Sequence, residues 1–436
     1  MSSAPVRLGL PENAAQFSLL VLINAFVGAM VGLERSTLPL IGRESFHLAS
    51  SVAVLSFIVA FGVAKALTNL TAGALAERAG RRRLLIAGWG AALPVPLLIA
   101  IAPSWGWIVA ANALLGINQG LAWSMTVVMK IDLVGPRRRG LALGLNESAG
   151  YGGVALAAGL SGWLAASFAA RDVLVVAGAA IAIIAFLLSV LFVRDTGAHV
   201  ALEQARDHAC ADGTPPPLRR AFAQATYREP ALRACSQAGL VNNLNDALAW
   251  GLVPLYLAAH GASVGDVGLV AAIYPGVWSV AQIATGHWSD SVGRKPLIAA
   301  GMLVQAAALG LLARGNGNLL ASATAAVLLG AGTALVYPTL IAAISDAVTP
   351  VARAPAVGVY RFWRDSGYVF GGLIAGGAAD ALGYSGAITL VAALTAASGL
   401  WVLYDMPSHR TGARAVPEPG GSPATETITA RREPVG

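Results

Sequence analysis

Arg361 and Arg364 lie three residues apart, and Arg361 and Asp365 four, the spacings at which side chains stand side by side on an α-helix. Guanidinium groups hold carboxylates and phosphates through forked, charge-assisted hydrogen bonds. This face could therefore bind an acidic group, or close on Asp365 as an internal ion pair. More ionisable groups lie in apolar stretches: Glu34 and Arg35, Lys65, Asn146 with Glu147, and Asp246. Such residues are costly where water is scarce and mark pathways or coupling sites. Asp246 follows Asn242, Asn243 and Asn245, and a carboxyl held out of water is a candidate proton carrier. Glu34 is its rival, with Arg35 beside it to keep it ionised. Tyr274, Trp278 and Gln282 recur every four residues and make one stripe, which could pack a helix or line a pore.

The elements that must position these groups follow from composition. The 436 residues are 56% hydrophobic and 12% charged, whereas soluble domains carry about 25% charged residues. A bilayer span needs about 20 predominantly apolar residues, and such stretches recur along most of the chain. An all-α membrane protein of about twelve transmembrane helices is expected, in two pseudo-symmetric six-helix bundles. The expected spans are 16–40, 50–74, 84–102, 106–130, 140–166 and 172–193, then 235–258, 266–288, 296–314, 318–346, 354–380 and 385–405. Residues 1–15 form a polar tail, 16–193 and 235–405 the two bundles, 194–234 a charged, proline-bearing linker, and 406–436 a disordered tail.

Arginines crowd alternate loops: Arg78 and Arg81 to Arg83, Arg137 to Arg139, and the linker from Arg194 to Arg233. By the positive-inside rule both termini and the linker lie in the cytoplasm of a cell (inner) membrane protein. That placement, rather than a basic patch, accounts for the net charge of +7 and argues against nucleic acid. The start of the chain lacks the order of a cleavable signal. Cys210 and Cys235 both fall on the side where thiols stay reduced, so no disulfide or metal site is expected.

The two halves superpose at a nearly constant step. Gly73 falls on Gly286 at 213 residues; Asp132 on Asp346, Pro136 on Pro350 and Arg139 on Arg353 at 214; Pro39 on Pro254 at 215. Parallel repeats of this kind build one class of secondary transporter, with substrate held near the midplane. Glu147 and Arg361 are equivalent under the step, so one half offers an acid where the other offers a base.

The loop after the second span runs Gly73, Glu77, Arg78, Gly80 and Arg81 to Arg83, and the loop after the eighth runs Gly286, Asp290, Gly293, Arg294 and Lys295. In this paired signature, its helix count and its repeat, the sequence resembles the major facilitator superfamily. Glu77 stands for the usual Asp and Ser291 for a usual Arg. The first Gly lets helices approach, the second turns the chain, and the bases hold the loop at an anionic membrane face. The resemblance implies that the acid is a conformational latch on the N-terminal end of a helix in the opposite half. Asp132 with Arg139, and Asp346 with Arg353, read as structural bracing. Each acid would meet the amides of the next helix, and each arginine would reach back to the helix before it.

The resemblance also implies that the second and eleventh helices pack together, which brings Lys65 to Arg361, Arg364 and Asp365. Three bases against one acid suit an anionic substrate. It places Asp246 on the cavity, with Asn146, Glu147, Tyr274, Trp278 and Gln282 as further lining candidates. Gly116 occupies the position of the fourth-helix arginine of many members, so no relay through that arginine transfers. The fifth span, Ser148 to Gly153, is glycine-rich like the antiporter motif but lacks its proline.

The function expected is alternating-access transport of a small polar or anionic solute, coupled to a proton or substrate gradient, by a monomer without cofactor. Multidrug efflux is the alternative. The chain holds no phosphate-cradling Gly-x-x-x-x-Gly-Lys-Ser/Thr loop. Its six histidines are scattered without metal spacing, so neither an ATP-driven pump nor an enzyme is expected. A non-transporting sensor on the same scaffold would bind ligand without flux.

Overall fold

In a computed structural model, residues 7–135, 139–207 and 216–407 are described. Among them the chain is helical with turns and no strand. In chain order the helices are α1 (Ala14–Glu44), α2 (Ser51–Ala79), α3 (Arg81–Ala92), α4 (Pro94–Ile101), α5 (Trp105–Asn118), α6 (Ser124–Val134), α7 (Arg139–Ala165), α8 (Ala170–Leu191), α9 (Gly197–Asp207), α10 (Leu218–Ala223), α11 (Pro230–Ala247), α12 (Val253–Ala259), α13 (Val264–Val292), α14 (Arg294–Arg314), α15 (Leu319–Ala347) and α16 (Pro350–Asp405). Proline at its first position separates α4 from α3 within the third expected span. Wider π turns, Gln119–Trp123 and Leu248–Leu252, join α5 to α6 and α11 to α12. Gly383, at φ 73°, breaks α16 into the eleventh and twelfth rods. Eight stretches are long and apolar enough to cross a bilayer, and the order of rods is consistent with twelve.

The turns are set by local chemistry. Gly80 and Gly293 take φ of 87° and 99°, a region that favours glycine, and each lets one rod end and the next begin at once. Ser263 and Asp266 form a reciprocal capping box at the start of α13. Leucines and aromatics such as Leu156, Leu160, Trp163, Val176, Leu320 and Tyr404 are exposed. That outward apolar belt is what lipid would cover.

The charged linker contains helical pieces, α9 and α10. It also packs: Thr196 donates to Asp132 at 2.6 Å, and Phe222 lies against Phe362 and Trp363. The seventh rod begins at Pro230, five residues before its expected start, because proline and Glu229 provide a first turn that hydropathy does not register.

Two seams join the halves. Along α7 and α13, Gly162 and Gly268 meet so closely that a Cβ on Gly268 would lie 2.7 Å from the Gly162 Cα. Further along, the Ser279 hydroxyl donates to the Ser148 carbonyl at 2.7 Å and the Ser148 hydroxyl to the Ser279 carbonyl at 2.9 Å. Along α2 and α16, Asp380 accepts from the Ser50 hydroxyl at 2.6 Å and the Ser51 amide at 2.5 Å. The contact continues through Gly62 and Tyr368 to Lys65 and Asp365. The end bearing Ser50 and Asp380, called the far face, is therefore sealed. At the opposite end, the termini face, Glu77 and Arg78 are exposed, and nothing among the described residues comes within 4 Å of the Cβ position of Gly73. The close helix approach expected at Gly73 is not seen among the described residues.

Candidate functional site

Midway along the α2/α16 seam, Lys65, Arg364 and Asp365 are buried together and Arg361 is half-buried. The Lys65 ammonium lies 3.7 Å from Asp365, and an Arg364 nitrogen 3.9 Å. Asp365 also accepts from Asn69 at 2.5 Å and Asn243 at 3.4 Å. Arg364 donates to the Tyr151 hydroxyl at 2.7 Å and stands 4.1 Å over the Tyr337 ring, while its Nε has no partner. Arg361 makes a long 3.4 Å contact with Ser124. A small cavity of about 10 Å³ lies among them, lined by Lys65, Asn69, Trp123, Tyr151, Tyr337 and the two arginines.

Two more carboxylates face this region, so the expected balance of three bases to one acid needs correction. Glu147 accepts from Trp123 at 2.9 Å, Asn146 at 3.2 Å and Tyr337 at 3.0 Å. Asp246 accepts from Tyr274 and, at 3.2 Å, from Tyr368. Formal charge alone therefore leaves no surplus. Hydrogen bonding does, because the carboxylates are supplied with neutral donors while guanidinium donors remain spare.

Tyr274, Trp278 and Gln282 are all buried on the seam side of α13. Trp278 stacks on Tyr151 with centroids 3.4 Å apart and meets Tyr337 edge-on, and its indole N–H and the Gln282 amide nitrogen are unpartnered. Glu34 departs from the expectation. It is buried inside the first half among Met30, Val95, Pro96, Ile99 and Leu174, about 100° around α1 from its neighbour Arg35.

Several walls of the cavity are not among the residues expected from the sequence: Asn69, Trp123, Tyr151 and Tyr337. A signal existed. Under the steps of 213 and 214, Trp123 matches Tyr337, Asn69 matches Gln282, Lys65 matches Trp278 and Tyr151 matches Asp365. Repeat-equivalent positions line one site, but their chemistry differs between halves, which hides them from a search for matching residue types.

Toward the termini face, Arg81 lies 2.8 Å from Asp132 and Arg294 lies 2.9 Å from Asp346, the same ion contact in both repeats. The Arg81 pair is near in distance but not aligned as a hydrogen bond. Burial pushes the Asp132 carboxyl up, opposed by Thr196 and Arg81. The acids thus meet the signature-loop arginines. Arg353 does reach back, to the Ser345 carbonyl at 3.3 Å. Pro136 lies outside the described residues, as do the side chains of Arg139, Gly286 and Asp290. Gly293 is buried and Lys295 half-buried. Glu77 and Arg78 are exposed.

Comparison with known proteins fits this geometry. The sequence profile described as Major Facilitator Superfamily matches residues 17–235 and 235–435. The chain is 28% identical over 307 residues to the 3-(3-hydroxy-phenyl)propionate transporter of Escherichia coli, spanning 70% of this chain and 73% of that one. It is 29% identical over 190 residues to the multidrug resistance protein MdtG of Dickeya zeae, covering 43% of each. Among solved structures, a POT family transporter in complex with a thioalcohol-conjugated peptide superposes with a TM-score of 0.72 at 12% identity, covering 89% of this chain and 95% of that one. The nucleoside transporter NupG does so with a TM-score of 0.71 at 13% identity, covering 90% and 100%. The family profile, matched along both parts of a helical chain that closes on a buried polar seam, makes this chain a member of the Major Facilitator Superfamily and a secondary transporter.

Proposed function

We propose that the protein moves a small organic anion, an aromatic carboxylate above all, by alternating access through the α2/α16 seam. One observation carries this reading: the seam carboxylates are supplied with neutral donors, while Arg361 and Arg364 keep spare N–H groups over the cavity. A buried cationic donor without a partner is expensive, and a carboxylate ligand supplies the missing acceptor. Trp123, Tyr151, Trp278 and Tyr337 offer ring faces and edges on which an aryl group stacks. The relative named for 3-(3-hydroxy-phenyl)propionate handles a solute with both features. Asp246, buried on the seam between two tyrosine hydroxyls, is the proton-coupling residue; Glu34, turned into the first half, is not.

The arginine-rich loops assign the termini face to the cytoplasm, and with that orientation the seam opens inward. Glu77 and Asp290 act as a latch only in the opposite state, when the termini face closes. The protein works as a monomer in the inner membrane and has no enzymatic role.

Purified protein in proteoliposomes provides the test. Uptake of 3-(3-hydroxyphenyl)propionate, inhibited by other aryl carboxylates and not by the corresponding amides, is expected. Flux of lipophilic cations with none of any aryl carboxylate would replace this reading with multidrug efflux.

A further inference from the structure

Arg35 is fully buried, with 0% exposure, and none of its three guanidinium nitrogens has a hydrogen-bond partner. No carboxylate among the described residues lies within ion-pair distance of it; Glu34 is its chain neighbour but faces the interior of the first half. Instead three rings surround it. Its guanidinium stands 5.5 Å from Phe57, 4.9 Å from Phe61 and 5.4 Å from Trp250. Buried polar side chains are almost always hydrogen-bonded, and cation–π contacts return only part of what a guanidinium loses on leaving water. A group with five donors and none used is built to receive an acceptor in another state of the protein.

Its position says which acceptor. Arg35 is on the half of α1 nearer Glu44, and Phe57 and Phe61 precede Lys65 on α2, so it sits a turn or two closer to the far face than the Lys65 cluster. Trp250 belongs to the second half, and under the 215-residue step it is the repeat equivalent of Arg35. The contact therefore spans the seam. Arg35 and Lys65 share a partition, Phe61 edge-on to Tyr368 with centroids 5.4 Å apart, and Lys65 lies 5.5 Å from the same Phe61 ring. One ring from each half makes that partition, so opening the far face parts it.

We propose that Arg35 is a second anion station, holding the substrate carboxylate when the far face is open, before or after its stay at Arg361 and Arg364. This rests on the organic-anion reading above and adds a site to it. When the far face closes, Phe57, Phe61 and Trp250 fold over the guanidinium, remove its access to water and drive the anion past the Phe61–Tyr368 partition. The same groove offers a ring cage for the aryl part of the solute.

The experiment measures half-saturating concentrations for 3-(3-hydroxyphenyl)propionate applied to each face of oriented proteoliposomes, for wild type, Arg35→Gln, Arg35→Lys and Arg364→Gln, with melting temperature measured alongside. Loss of one charge-assisted contact should raise the far-face value by on the order of tenfold in Arg35→Gln. The termini-face value should stay within about twofold, Arg35→Lys should recover part of the loss, and Arg364→Gln should raise both. Equal effects of Arg35→Gln from the two faces, or a lowered melting temperature shared by Arg35→Gln and Arg35→Lys with no facial difference, would make Arg35 a structural pin and overturn the proposal. Wild type that fails to saturate from either face would remove the organic-anion reading and the station with it, an outcome distinct from failure in the Arg35 variants alone.

Discussion

If Arg364 holds an anion, Arg364→Gln weakens an aryl carboxylate by roughly tenfold to a hundredfold, the range of a charge-assisted hydrogen bond of about 1.5 to 3 kcal/mol, with a modest change in melting temperature. If it is only a brace for Asp365, the order reverses. Removing one partner of a buried pair costs about 3 to 5 kcal/mol, and Arg364→Gln with Asp365→Asn together recovers most of that loss with affinity unchanged. The 3.9 Å separation of Arg364 from Asp365, against 2.7 Å to Tyr151, favours the binding outcome. Calorimetry and ligand titration on the single and double variants check it. The face shared by Arg361, Arg364 and Asp365 was legible in the sequence because i, i+3 and i+4 spacing fixes it on any helix. The loss of Glu34 from the site was not. Glu34 and Arg35 are adjacent, so they point about 100° apart around α1, and only the packing of α1 against its neighbours decides which of them meets the seam.

At the scale of helices, the two repeats carry one ion contact in unequal settings. The Asp132 side chain is 9% exposed and its partner Arg81 17%, whereas Asp346 is 57% exposed and Arg294 19%. Surface pairs contribute about 0 to 1 kcal/mol, and broken buried pairs cost several times more. Asp132→Asn should therefore lower the melting temperature clearly and Asp346→Asn hardly at all, as thermal unfolding in detergent would record; equal shifts would contradict the burial argument. The repeat step located both acids in the sequence. The arginine partners were not legible there, because Gly80 and Gly293 turn the chain so sharply that Arg81 and Arg294 swing back against α6 and α15. Such a contact lies between elements distant in sequence and leaves no periodic trace.

At the scale of the whole molecule, closure of the far face depends on Gly162 and Gly268, where backbones meet without side chains. Gly162→Leu inserts a wedge there and should hold the far ends of α7 and α13 apart. Distances between spin labels on Trp163 and Leu269 positions should lengthen, and transport should fall while ligand still binds from the far face; unchanged distances would show that the seam can rearrange around the wedge. Orientation is testable in the same sense. After Cys210→Ser removes one thiol, leaving the buried Cys235, Ser104→Cys should react with an impermeant reagent outside cells and Arg228→Cys should not.

The sequence alone determined that this chain spans a membrane in two repeated halves, because hydropathy, helical periodicity and loop charge act within a few residues of one another. It also named most of the charged groups of the seam, since an ionisable residue in an apolar span is conspicuous wherever it lies. Tertiary structure decided which of those groups meet: Glu147 with Tyr337, Asp246 with Tyr274 and Tyr368, Glu34 with none of them, and Arg35 with three rings and no acceptor. Those outcomes depend on how far each rod is rotated about its axis and on which end of the seam is closed, and both are set by packing between separate helices.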